Sequence, residues 1–352
     1  MTSPLPGSTA ITSRSSGRML VPRLAPYLLA VLAAFAATGL FIGLLGFNVL
    51  TAYETILFTS FRTANGFIQT LQKFVPLLLQ ALAFTLPLAA GKFNIGGEGQ
   101  MIAGAIGTTA VAILLADLPG PILLPLALLA GVFCGALWAA PAAWLLYRFK
   151  VNEILTTVLL NFVAFNLIDY VATGIWRDPA AGHPTTIAIS VGARLPLLVA
   201  SPRLHSGLLL SLVIAVAAYL YIGRTSAGYE LVATGANPRA ARVFGIDVRR
   251  IFLLSLIGGG AIAGLSGAIE VAGVHYRLIE GLQSNFLLLG IIIGLIARGN
   301  HAAVPFVAFF IAVLEVGASA LQRTLQIPGG IVTITEALIL FFLLLSDWLR
   351  RR

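Results

Sequence analysis

Ten apolar runs follow one another along the 352-residue chain, and this succession restricts its fold more than any other feature. A helix needs about 20 apolar residues to cross a bilayer, so the shorter runs are expected to be broken or re-entrant. Hydrophobic residues make up 59% of the chain, against roughly 45–50% in soluble domains. The sequence predicts an all-α polytopic membrane protein of about ten transmembrane helices, near residues 24–47, 74–91, 99–116, 121–146, 153–174, 207–223, 251–272, 284–297, 303–320 and 331–348.

The distribution of positive charge predicts the orientation in the membrane. With the N-terminus inside, 15 of the 22 Lys and Arg residues lie on or beside the cytoplasmic side. Both termini are then cytoplasmic, with residues 1–23 as a disordered tail and 24–350 as the transmembrane domain. Segment 175–206 is extracytoplasmic and segment 224–250 is a cytoplasmic loop. Five spans lie on each side of 175–206, so two related halves would have to be inverted five-helix repeats.

Pairs of glycines spaced four residues apart predict close helix packing. We expect them to pack helices within the chain, and a dimer face is the alternative. The pairs are Gly39/Gly43, Gly131/Gly135, Gly260/Gly264 and Gly290/Gly294.

Several kinds of catalytic and cofactor site are missing from the sequence. A P-loop fails at Lys92, because Leu86 stands where the first glycine belongs and Phe93 where the hydroxyl belongs. The four histidines show no metal-ligand spacing, and the stretch around Ser266 lacks the second spacer of a hydrolase GxSxG. We therefore expect no catalytic residue, no metal and no cofactor in this chain.

The segment GYELVATGANPRAARVFGI, residues 228–246, predicts a short helix outside the bilayer. Asn237 suits the N-cap, Pro238 the first helical position, and Gly245 a left-handed stop. Arg239 and Arg242 share one face of this helix. Such a helix offers a contact for a cytoplasmic partner; the alternative is an ordinary positively charged loop that fixes topology.

The segment GKFNIGGEGQ, residues 91–100, places glycines and polar residues between the second and third spans. Irregular backbone at membrane depth is tolerated where it lines a water-filled path, and glycine-interrupted segments point to transport sites. Asn94, Glu98 and Gln100 are candidates for hydrogen bonds to a polar solute. The alternative is a tight cytoplasmic turn with Lys92 at the water boundary.

The segment VNEILTTVLLN, residues 151–161, opens the fifth span with Asn152 as its N-cap. Thr157 and Asn161 are four residues apart and share a face, which predicts a polar surface turned toward water or other helices. Hydrogen bonding between helices is the alternative. Asn166 and Asp169 lie further along the same span.

Three carboxylates, Glu270, Glu315 and Glu336, lie within or near the ends of later spans. Ionisable groups in a bilayer are costly and face the protein interior. We expect interior packing and polar lining, with a proton relay as the alternative.

In this order, FNIGGEGQ, NEILTTVLLN and GYELVATGANPRAARVFGI resemble the permease subunits of bacterial ABC importers. The resemblance runs from about Leu24 onward and favours the nucleoside and simple-sugar group, related to the ribose and branched-chain amino acid permeases. It implies a type II importer fold and makes the cytoplasmic segment the loop that couples to the ATPase. One departure is Val232, where relatives often carry Arg. The coupling residues it implies are Gly228, Gly235, Asn237, Pro238, Arg239, Arg242 and Gly245.

The resemblance implies a non-enzymatic subunit of the bacterial inner membrane. Its partners would be a cytoplasmic ATPase that binds ATP and Mg²⁺, a second permease, identical or different, and an extracytoplasmic solute-binding protein. Asn94, Glu98, Gln100, Thr157 and Asn161 are the candidate path residues. An ion-coupled secondary transporter and a non-transporting membrane anchor are the alternatives.

Overall fold

The computed structural model describes residues 21–350, and most of them are helical. Most of the predicted tail, residues 1–20, lies outside the described residues, and the first helix begins at Val21. The helices are α1 (Val21–Leu44), α2 (Val49–Arg62), α3 (Ala64–Ala89), α4 (Gly97–Leu114), α5 (Gly120–Phe149), α6 (Glu153–Tyr170), α7 (Gly207–Arg224), α8 (Ser226–Ala236), α9 (Pro238–Val243), α10 (Val248–Ile269), α11 (Phe286–Ile296), α12 (Val304–Leu325) and α13 (Gly330–Arg350).

Each predicted apolar run falls on a helix within the described part of the chain. Six helices are long and apolar enough to cross a membrane: α3, α5, α6, α7, α10 and α12, with α6 and α10 extended by π-helical turns. Shorter apolar stretches lie in α1, α11 and α13. The polytopic helical fold is confirmed, whereas ten complete crossings and the inverted relation of the halves stay predictions.

The centre of the molecule is built around α3 and α10. Helix α10 packs against α3, α4 and α5, while α3 also contacts α2, α7, α11 and α12. The first and last helices, α1 and α13, pack against each other. Helices α5, α6 and α7 expose much of their apolar surface, so these three form the periphery available to lipid or to another subunit.

The α5–α10 crossing shows why glycine is required there. A Cβ on Gly264 would meet the carbonyl oxygen of Gly131 and come within 2.8 Å of the Cα of Gly135. Gly260 faces the carbonyl of Gly135 at 2.7 Å in the same way. Both predicted pairs therefore pack helices within the chain, as expected. The other pairs also have neighbours inside the chain, Val49 for Gly43 and Phe84 for Gly294.

The sequence analysis did not predict two of the helices, α2 and α8. Helix α2 and the first ten residues of α3 fill residues 48–73, between the first two predicted spans, and each helix is opened by a side-chain cap, from Asn48 and Thr63 respectively. The start of α3 carries Gln69, Gln72 and Lys73, which interrupt the apolar pattern. A span identified by hydropathy begins only where these polar residues end.

Segment 175–206 is held to the chain that follows α10. The backbone N–H of Ile189 donates to the carbonyl of Tyr276 at 2.8 Å, and that of Leu195 to Ala272 at 2.8 Å. A short antiparallel pair, β1 (Leu197–Val199) and β2 (Leu204–His205), precedes α7. Because the segment packs on the transmembrane helices, it is an ordered cover for this end of the molecule.

Candidate functional site

Helices α8 and α9 form because their ends are capped. The Thr225 hydroxyl accepts from the N–H of Gly228 at 3.0 Å, which starts α8. The Asn237 side chain accepts from the N–H groups of Arg239 and Ala240 at 3.0 and 3.1 Å, which starts α9 after a sharp turn. Gly245 has a φ of +86° and ends the element. The predicted short helix and its caps are confirmed.

Two glycines of this motif seat α8 against the transmembrane helices. A Cβ on Gly235 would collide with the carbonyl of Ala89 and lie 3.0 Å from its carbonyl carbon, at the end of α3. A Cβ on Gly228 would lie 2.6 Å from the Cα of Ile222 in α7. The element is thus in backbone contact with α3 and α7, so a force on α8 and α9 reaches both helices.

The tip of this element is exposed and apolar. Val243 and Phe244 are 85% and 83% exposed, and Arg239 and Arg242 beside them are also exposed. Exposed apolar side chains clustered in a segment outside the bilayer mark an interaction surface. The sequence-based site omitted Val243 and Phe244, which follow Arg242 directly at the end of α9; their exposure indicates that they belong to the contact surface.

The predicted path residues hold the loop between α3 and α4. Asn94 and Gln100 exchange side-chain hydrogen bonds of 2.8 and 2.9 Å, and both are 1% exposed. The Asn161 oxygen accepts from the N–H of Gly99 at 2.9 Å, and its amide donates to the carbonyl of Ile95 at 2.7 Å. The structure thus brings three of the five candidates together around one loop, with their polar groups bonded to each other or to backbone.

The other two candidates behave differently. The Thr157 hydroxyl donates to the carbonyl of Glu153 in its own helix at 2.7 Å and is buried. Glu98 lies half-buried in the first turn of α4, without a hydrogen-bond or ion-pair partner among the described residues. Of the five, Glu98 is therefore the side chain with free polar capacity.

Lys92 connects this loop to two other helices. Its Nζ lies 3.2 Å from a carboxylate oxygen of Glu153, at the start of α6, and 4.6 Å from the ring centroid of Phe252 in α10. The ammonium therefore interacts with a carboxylate and an aromatic face at once. Lys92 therefore links α10 to the start of α6.

The C-terminal half of α6 carries two polar residues and a phenylalanine on an exposed face. Phe162, Asn166 and Asp169 recur at helical spacing and are all exposed. The Asn166 amide donates to the carbonyl of Phe162 at 2.7 Å, whereas Asp169 has no ion-pair partner among the described residues. A carboxylate on the outside of a membrane helix is costly against lipid, so this face meets water or another subunit.

The three intramembrane carboxylates occupy the interior side of their helices. Glu270 is 5% exposed and lies 3.4 Å from the Nε2 of His275. Glu336 is fully buried, and no residue in the described part of the chain forms a hydrogen bond with either of its carboxylate oxygens. Glu315 is half-buried on α12. The expected interior placement is confirmed for Glu270 and Glu336.

Comparison with known proteins places the chain in a transporter family. Residues 66–346 match the model of the permease component of branched-chain amino acid transport systems. A glucose ABC transporter permease protein of Haloferax volcanii is 35% identical over 92% of this chain and 87% of its own length. A guanosine ABC transporter permease protein of Bacillus subtilis is 30% identical over 94% of both chains. A nucleoside ABC transporter permease protein of Lactococcus lactis subsp. cremoris is 27% identical over 93% of this chain and 90% of its own.

This match covers the polytopic helical bundle, from the start of α3 almost to the end of α13. It agrees with the resemblance that the three motifs indicate. The chain belongs to the family of permease components of branched-chain amino acid transport systems.

Proposed function

We propose that this chain is the membrane-spanning permease subunit of an ABC importer for nucleosides or simple sugars. Support comes from the family match and from relatives named for glucose, guanosine and nucleosides. The partners would be a cytoplasmic ATPase that binds ATP and Mg²⁺, a second permease and an extracytoplasmic solute-binding protein. In this arrangement the chain lies in the inner membrane with both termini in the cytoplasm.

The exposed tip of α9 is the observation that carries the proposal. Val243 and Phe244 form an apolar patch, and Arg239 and Arg242 flank it with positive charge. Apolar anchors bordered by arginine are typical of the centre of protein interfaces. In this proposal the tip inserts into a cleft of the ATPase subunit.

The seat of α8 suggests how ATPase motion would reach the bilayer. Gly235 contacts the end of α3 and Gly228 the end of α7, so a displaced α9 pushes on both helices. Helix α3 in turn packs on α10, α11 and α12. The push would therefore rock the central helices as a body between two packings.

The geometry favours an indirect role for most of the predicted path residues. The polar groups of Asn94, Gln100 and Asn161 form hydrogen bonds with each other or with the backbone around the α3–α4 loop, so they would fix its shape. Direct contact with solute would belong to Glu98 and to the exposed α6 face of Phe162, Asn166 and Asp169. That face would line a path between two permease subunits, where water and solute can meet a carboxylate.

The coupling proposal is tested with charge and apolar variants of the α9 tip. Arg239→Glu with Arg242→Glu, or Val243→Ser with Phe244→Ser, should weaken co-purification of the ATPase by roughly tenfold or more, about 1.4 kcal/mol. Membrane insertion should be unchanged, because all four side chains are exposed. Arg148→Glu with Lys150→Glu, the same charge change at the end of α5, is the matched control. Full ATPase binding and uptake by both tip variants would contradict the proposal.

Uptake by vesicles that contain the whole assembly tests the substrate and the energy source. Guanosine and glucose are the first solutes to compare, each with ATP present or withheld. A second candidate function, ion-coupled transport, is favoured by Glu336, whose buried carboxyl has no hydrogen-bond partner within the described chain. Uptake that needs ATP and survives collapse of the proton gradient supports the importer. Uptake that follows the gradient without ATP supports the second candidate.

A further inference from the structure

A groove of about 740 Å³ separates α7 from α10 on the side of the molecule where α8 and α9 emerge. Its volume lies within the roughly 300–1,000 Å³ of small-molecule sites. Ile214, Ala217 and Ala218 of α7 line one wall, and Leu254, Gly258 and Ile262 of α10 line the other. The interior is therefore apolar and bordered by small side chains, and no function described above uses it.

The shape of the groove suits a flexible hydrocarbon chain. From Arg250 to Ile262 the lined length of α10 is about 18 Å at ~1.5 Å per residue, a little over half of a ~30 Å hydrocarbon core. An acyl chain entering from one leaflet fits this length, and the apolar side chains of both walls suit it.

Charged residues gather at one end of the groove. Glu230, Asp247 and Arg250 line it there, and Tyr221 lies beside them. Neither Glu230 nor Arg250 has an ion-pair partner among the described residues. The Asp247 side chain accepts from the backbone N–H groups of Arg249 and Arg250, both at 3.1 Å. The rim thus offers two carboxylates for an ammonium and a guanidinium for a phosphate.

We propose that the groove binds a phospholipid whose headgroup carries both a phosphate and a primary ammonium, as phosphatidylethanolamine does. One acyl chain lies between α7 and α10, the phosphate pairs with Arg250, and the ammonium pairs with Glu230 and Asp247. A choline headgroup offers no N–H donor and a glycerol headgroup no cation, so both bind more weakly. Because Gly245–Asp247 joins α9 to α10 and also lines the groove, the lipid steadies the emerging helices against the bundle.

Native mass spectrometry tests the inference on the full chain extracted from membranes that contain phosphatidylethanolamine, phosphatidylcholine and phosphatidylglycerol. One phosphatidylethanolamine per chain should be retained. Ala217→Trp, which fills the groove, should remove it, whereas Val216→Trp on the outer face of α7 should keep it. Glu230→Gln and Arg250→Gln should each lower retention by roughly tenfold. Arg249→Gln is the matched control and should leave retention unchanged, because Arg249 does not line the groove.

The outcomes distinguish a lipid in the groove from a lipid bound elsewhere and from a second subunit. Equal retention by Ala217→Trp and Val216→Trp would place the lipid elsewhere and overturn the site. Equal retention of phosphatidylcholine or phosphatidylglycerol would overturn the headgroup assignment. A wild-type chain that carries no lipid, and whose self-association is lost only in Ala217→Trp, would show that another subunit fills the groove. The rim variants change exposed or half-buried side chains, so their result does not depend on repacking the bundle.

Discussion

Asn161 shows how one amide can fix the loop between α3 and α4. It satisfies the N–H of Gly99, in the first turn of α4, and the carbonyl of Ile95, in the loop before that helix. The polar spacing of α6 predicted that this residue faces inward, but not what it meets. Its partner lies 62 residues away in the chain, and a helical pattern carries no information about that distance.

Asn161→Ala should destabilise the protein by about 1–3 kcal/mol, because a buried N–H and a buried carbonyl lose their partners. Thermal unfolding in detergent measures the change. Asn166→Ala, on the exposed face of the same helix, is the control and should unfold close to the wild type. If the two variants unfold at the same temperature, Asn161 does not hold the loop, and a direct contact with solute becomes the better account of its role.

His205 predicts a pH dependence of stability. It is 1% exposed, and neither ring nitrogen has a hydrogen-bond partner among residues 21–350. Burial lowers the pKa of His205 below the ordinary 6.5, and this outweighs the opposite effect of the Glu270 carboxylate. Between the lowered pKa and 6.5 the unfolded chain binds more protons than the folded one. The contribution of His205 to stability is therefore fully present above the ordinary pKa, and it is lost as the pH falls toward the lowered pKa of the folded protein.

Thermal unfolding at about pH 7.5 and about pH 5.5 should reveal this loss in the wild type. In His205→Gln, which cannot titrate, the difference between the two pH values should shrink. An unchanged difference would assign the pH dependence to other groups, with His301 next, since burial lowers its pKa as well.

At the scale of elements, the four-residue glycine spacing predicted close packing, and the α5–α10 crossing depends on it. Gly264→Ala should cost roughly 1–3 kcal/mol, because the new methyl group meets the backbone of Gly131 and Gly135. Gly223→Ala in α7 has nothing within 4 Å and should be neutral or slightly stabilising. Comparing the yield of folded protein and its unfolding temperature for the two variants checks this. Equal behaviour would mean that the helices part easily at the crossing.

Caps explain which elements sequence analysis could find. Asn237, Pro238 and Gly245 are strong local signals, and α9 begins and ends where they predict. Helix α8 was missed because Thr225, its cap, directly follows the basic end of α7, and Gly228 and Gly235 weaken the helical pattern. Those glycines allow close tertiary contacts with α7 and α3, which a local sequence pattern does not show. The groove between α7 and α10 likewise depends on how two distant helices diverge, so no local pattern predicts it.

At the scale of the whole molecule, the exposed α6 face is expected to meet the second permease. The chain has one cysteine, so Cys134→Ala gives a background for cross-linking. Asn166→Cys in that background should form a covalent link to the neighbouring permease through a short thiol-to-amine cross-linker. Val213→Cys, 61% exposed on α7, should not, because α7 faces lipid in our proposal. Linkage from α7 alone would reverse the assignment of the two faces.

The pairing of α1 with α13 has a consequence for biogenesis. Among the described helices, α1 packs mainly against α13, so it meets this neighbour only after α13 has been synthesised. Until then α1 waits in the bilayer with α2 as a neighbour. The nearly uninterrupted apolar sequence of α1 is compatible with this interval, because an unpaired charge on a single helix in lipid is costly. The docking of α1 is therefore coupled to the synthesis of α13.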